Sequence, residues 1–147
     1  MAARVSALWP VQQAIHAKVH PAAQAATSGP LAEVSGLWDE PPEGSTVPYL
    51  TFGEITETPM DDHTSRGYEV IVIINAWSDY TGNRQASLII AEVVALLHRQ
   101  PLDIDGWDLI SIAHKADGVR KTSGNQSPNR RQAQARFRVW VTQPRQN

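Results

Sequence analysis

The stretch Tyr68-Glu-Val-Ile-Val-Ile-Ile-Asn-Ala-Trp77 decides the fold. Side chains alternate across a β-strand. One face therefore carries Tyr68, Val70, Val72, Ile74 and Ala76, and the other Glu69, Ile71, Ile73, Asn75 and Trp77. Both faces are largely apolar. A strand of this kind is buried on both sides, yet the chain has few helices with which to cover it. Helices packed on one face leave the second in need of a dry neighbour, and a second copy of the same chain is the simplest one. The closing strand, Ala133–Thr142, repeats the pattern more weakly. Ala135, Phe137, Val139 and Val141 alternate there with Arg136, Arg138 and Trp140.

Outward from this strand, Tyr49–Thr58 alternates as a strand, with Leu50 and Phe52 on one face and Tyr49, Thr51 and Ile55 on the other. The polar connection 59–67 makes the pair a long-looped hairpin. Ser78–Asn83 reads as a turn, with Asn83 placed to cap a helix over about 84–99. In that helix Ala86, Ile89, Ile90, Val93, Val94 and Leu97 form an apolar stripe. Leu88, Ala91, Ala95 and Leu96 widen it almost all round, so the helix is expected to be buried on most sides. Pro101 ends it, and Trp107–Ala113 forms a strand with Trp107, Leu109 and Ser111 opposite Asp108, Ile110 and Ile112. Asp117–Arg131 reads as a long polar loop.

Towards the N-terminus, Pro10 suits the first turn of a helix whose stripe is Val11, Ile15 and Val19. Pro21 should interrupt or kink that helix. Leu37–Trp38 forms a short strand. The expected fold is α+β, a mostly antiparallel sheet of four to five strands packed with two main helices, in the order α-β-β-β-α-β-β.

The 147 residues suggest one domain, 1–147, large enough to bury about two-thirds of its unfolded surface. The chain has no cysteine, which excludes disulfides and thiolate metal sites. A formal charge of −2 and a pI near 6.2 oppose a dedicated nucleic-acid binder. The longest apolar run, Ala86–Leu97, contains Glu92 and is too short to span a bilayer. The N-terminus lacks the apolar core of a signal peptide. A soluble protein without a membrane partner is expected.

Catalytic patterns are sparse. Gly118 and Gly124 stand alone, with no phosphate-loop lysine after them. His16 and His20, four apart on a helix, are the spacing of a metal pair but lack a third ligand, and read as solvated. Asp61, Asp62 and His63 are the best acid–base or metal candidates of a small hydrolase, and otherwise a solvated hairpin tip that can dock a partner. Arg120, Lys121, Arg130 and Arg131 make the loop 117–131 basic. Such a loop suits phosphate contact or an acidic partner, but has no aromatic residue to stack a base. Ile71, Ile73, Trp77 and Trp140, on the second faces of their strands, are the candidate subunit interface.

Several short patterns, in order, resemble one family. They are Val11-Gln-Gln-Ala-Ile15, Trp38-Asp-Glu-Pro41, Val47-Pro-Tyr-Leu-Thr-Phe-Gly53, Glu54-Ile-Thr-Glu57, Asn75-Ala-Trp-Ser78, Pro101-Leu102 with Asp105-Gly106, and Ala135-Arg-Phe-Arg138. From about Leu8 to Val141 the chain resembles the tail-terminator, or tail-completion, proteins of long-tailed bacteriophages and gene-transfer particles. The resemblance implies a small α+β subunit of a six-membered ring in the neck of the virion tail, made in the host cytoplasm. Such a ring caps the tail tube, stops its growth and docks to the head connector. Its implied partners are sister copies, the tail tube protein, a head-completion or connector protein, and double-stranded DNA in passing. It implies no catalytic residue and no cofactor. The basic segment 117–131 is longer than expected for the family, which leaves lumen lining, subunit contact and head-side docking open for it. A head-completion or other neck role is the nearest alternative.

Overall fold

A computed structural model describes residues 6–61, 66–122 and 129–144. Helix α1 spans Leu8–Ala25, and a short 3-10 turn follows at Pro30–Glu33. Strands β1 (Leu37–Trp38), β2 (Tyr49–Pro59) and β3 (Gly67–Ser78) come next, then helix α2 (Arg84–Leu97) and strands β4 (Asp108–Lys121) and β5 (Arg131–Thr142). The order is the expected one. The five strands form one sheet, β1-β2-β3-β5-β4, antiparallel except where β1 runs parallel to β2.

Both helices lie on the same face of the sheet. Val70, Val72, Ile74 and Ala76 of β3 are fully covered there, as are Ala135, Phe137, Val139 and Val141 of β5. Helix α1 contributes Val11, Ile15 and Val19, and α2 contributes Ala86, Ile89, Ile90, Val93 and Leu97. The two-residue alternation of the strands and the 3.6-residue stripe of the helices thus meet in one core. On the opposite face Ile71, Ile73, Trp77 and Trp140 are half-buried.

Several details differ from the sequence-based expectation. Pro21 lies inside α1 and does not end it. The helix gives up one backbone donor at Pro21 but keeps Val19 and Ala23 buried on either side, and burial of the stripe outweighs the lost bond. Asn83 precedes α2 but its side chain does not cap it; Asn83 Oδ1 instead accepts from Arg131 Nε at 3.2 Å. Helix α2 is less enclosed than expected, since Leu88 is 40% exposed and Ala91 and Ala95 face outward.

A bulge between Phe52 and Ile55 puts Ile55 opposite Val72 on the covered face, against its simple alternation. A second bulge, between Leu109 and Ser111, brings Leu109 and Ile112 to the covered face and leaves Ile110 50% exposed. The polar loop expected over 117–131 is shorter, because β4 runs to Lys121 and β5 starts at Arg131. Backbone pairing of Asp117–Lys121 with Arg131–Ala135 of β5 carries this polar segment into the sheet.

Candidate assembly surface

The uncovered face of the sheet has two parts. In the first, polar side chains hold one another. Trp77 Nε1 donates to Thr51 Oγ1 at 2.9 Å. The Gln132 and Gln134 side-chain amides donate to Asn75 Oδ1 at 2.9 and 3.1 Å. Gln132 Oε1 in turn accepts from Arg120 Nε at 3.1 Å and Nη2 at 2.9 Å. Asn75 and Gln132 are buried, so these bonds remove the cost of their desolvation.

The second part is apolar with a basic margin. Ile71 and Ile73 stand beside Arg138 and Arg136, their partners on β5. Gly53 leaves room for Ile73, since a Cβ there would lie 2.9 Å from Ile73 Cγ2. Arg138 Nε donates to Glu69 Oε2 at 2.8 Å, and its guanidinium carbon sits 5.8 Å from the centre of the Trp140 ring. Trp140 Nε1 is shielded from solvent and has no acceptor among the described residues. Arg136 is exposed.

The four basic candidates cluster at one end of the β4–β5 pair, but they are not a solvated loop. Arg130 Nε reaches Asp79 Oδ1 at 2.5 Å and its Nη2 reaches Oδ2 at 3.3 Å, a two-pronged clamp. Donating to the Asp79 carboxylate raises the Arg130 pKa above its ordinary value. Arg131 is bound to Asn83 and, through Nη1, to the Asn129 carbonyl at 3.0 Å. Arg120 is held by Gln132, and Lys121 is exposed. Asp61 is exposed, with Oδ1 3.4 Å from the Gly67 amide; Asp62 and His63 lie outside the described residues.

The histidine pair has a role that spacing did not reveal. The rings of His16 and His20 stack at 4.7 Å, and His20 Nδ1 accepts from the Leu37 amide at 3.1 Å. Burial, with repulsion from His16, lowers the His20 pKa. His20 therefore anchors β1 and is not a solvated residue. Among the described residues no three His, Asp or Glu side chains are placed to hold a metal ion.

A groove on the helix side of the β1 edge also escaped the sequence reading. It is lined by Trp9, Gln13, Ala17, Trp38, Asp39 and Phe52. Trp9 is 58% exposed, and its place two residues before a buried helical stripe was not by itself a signal of this groove. No described helix is long and apolar enough to cross a membrane.

These features define a small α+β subunit with one sheet face sealed by its own helices and the other presented outward. Residues 11–142 match the family model described as tail completion protein gp17, and the chain belongs to that family of structural proteins of the bacteriophage virion tail. Its fold is that of a solved chain from the virion of a native gene transfer agent particle. The two are 19% identical with a TM-score of 0.79, covering 95% of this chain and 99% of the other. A second solved chain, 15% identical over 94% of this chain and 96% of its own length, aligns at a TM-score of 0.49. No curated protein matches the chain. As a component of a virion tail, the protein assembles with other tail or head proteins.

Proposed function

We propose that copies of this chain close into a ring, six-membered by the family resemblance. The ring caps the finished tail tube, ends its elongation and joins it to the head connector, with DNA crossing the central opening. One observation carries this reading: Ile71, Ile73, Trp77 and Trp140 remain half-exposed on a sheet whose opposite face is sealed. Ile71, Ile73 and Trp140 form the apolar part of that open face, with Trp77 set apart beyond the polar Asn75. An apolar patch left open on a sheet face marks an interaction site, and permanent subunit interfaces are apolar at their centre. A ring of identical copies covers such a patch through one repeated heterologous contact.

The protein acts in this reading by assembly and not by turnover. Arg120, Lys121, Arg130 and Arg131, gathered at the end of the β4–β5 pair, meet passing DNA, the connector or a neighbouring copy, and Asp61 at the opposite end of β3 serves docking. Three of those four cations are held by protein acceptors, and the net charge is −2, which suits a channel that must not grip phosphates. Particles assembled without the chain should carry tube lengths that are no longer controlled and tails that do not join heads. Imaging of intact particles should place the chain in a ring at the head-proximal tube end. Tails of normal length joined to heads in its absence, or density for it elsewhere in the neck, would overturn the assignment.

A further inference from the structure

A ring requires two different patches on each subunit, and the open sheet face is only one of them. We infer that the second patch is the Trp9–Trp38 groove at the β1 edge, so that each copy sets its basic β5–β4 side against the acidic β1–β2 side of the next. This inference rests on the ring reading above and names the contact that builds it.

Charge is the first argument. Between residues 19 and 65 the chain has eight acidic residues and no lysine or arginine. Between 108 and 142 it has seven basic residues and two acidic ones. The sheet order β1-β2-β3-β5-β4 carries these two segments to opposite edges. At the acidic edge Asp39, Glu40, Glu43 and Glu54 are exposed. On the other side, Lys115, Arg120 and Lys121 of the edge strand β4 and Arg136 of the adjoining β5 are exposed and outnumber the exposed Asp108 and Asp117 of β4. A sheet with one acidic and one basic edge repels its own kind in a two-fold contact, where like meets like, and attracts in a head-to-tail one.

Shape and polarity agree with charge. The open face offers Ile71 and Ile73 beside Arg136 and Arg138. The groove offers Trp9, Ala17 and Phe52 with Asp39 at its margin. Each patch thus has an apolar centre and a charged margin of opposite sign, the anatomy of a specific interface. The groove and the open face lie on opposite sides of the sheet, since Phe52 pairs with Ile74 on the helix-covered face. A subunit can therefore engage two neighbours at once.

The absence of cysteine from the native chain allows a direct test. Particles are assembled with Glu40→Cys, with Arg136→Cys, or with both substitutions in one chain, and isolated tails are treated with a bifunctional maleimide. Both positions are exposed, and circular dichroism checks that each variant keeps the native fold. Head-to-tail contact predicts cross-linked ladders beyond the dimer from the double variant and monomers from each single variant. Dimers from a single variant as abundant as products of the double would show like patches meeting and overturn the inference. So would monomers from all three when amine cross-linking of native tails still yields multimers, a result that leaves the ring intact. Monomers after amine cross-linking of native tails would overturn the ring reading itself.

Discussion

Gly36 shows how tightly single atoms are placed around β1. A Cβ there would lie 2.6 Å from His20 Cε1, 2.8 Å from Nδ1 and 2.9 Å from Trp38 Cη2. The His20 ring cannot retreat without releasing the Leu37 amide. Gly36→Ala is expected to cost about 1–3 kcal/mol of stability, read as a lower denaturant midpoint at unchanged slope; a change under about 0.5 kcal/mol would mean that the ring moves freely. His20 itself makes stability depend on pH. Its folded pKa is lowered, so the unfolded chain binds the proton more readily. Its contribution is complete above its ordinary value of 6.5 and is lost as pH falls below that value through the folded pKa. Melting temperatures at pH 8 and pH 5 should fall further for the native chain than for His20→Gln, whose side-chain oxygen still accepts from Leu37 without titrating. Equal falls would remove His20 as the cause. The amide partner of His20 was not legible in the sequence, because helix spacing says nothing of a strand 17 residues away.

Strand β3 tests the division of the sheet into two faces within one element. Ile74 is fully buried, and Ile74→Ala is expected to cost about 2–5 kcal/mol through the cavity it leaves. Ile71, three positions earlier, is half-buried on the open face. Ile71→Thr keeps a β-branched side chain and should cost the isolated subunit under about 1 kcal/mol. Its effect should appear in assembly instead, as a tenfold or greater loss of head-joined particles in complementation. A variant that melts like the native chain and joins tails equally well would show that this face stays open in the virion. The faces of β3 and β5 were legible beforehand because no bulge interrupts their pairing from Gly67↔Thr142 to Ser78↔Arg131. The faces of β2 and β4 were not, since each bulge adds a residue and reverses the alternation beyond it.

At the scale of the whole molecule, the partition of charge between the two sheet edges predicts how assembly responds to salt. Joining of purified protein to tube ends should slow several-fold between 0.1 and 0.5 M sodium chloride, because screening removes the steering of opposite edges while the apolar centre is unaffected. A rate independent of salt would assign the contact to the apolar residues alone. The sequence by itself determined the number, order and kind of the elements, the apolar surplus on β3, and the separation of acidic from basic residues along the chain. These are properties of local composition and period, which neighbouring residues are enough to express. Tertiary structure alone decided that β5 enters between β3 and β4, which sends the basic segment to the edge opposite the acidic one. It also decided that Arg130 is clamped by Asp79, that Pro21 stays within its helix, and that α1 and β1 enclose a groove. Each of these depends on residues far apart in the chain, whose pairing is set by the burial of the whole core and not by any stretch of it.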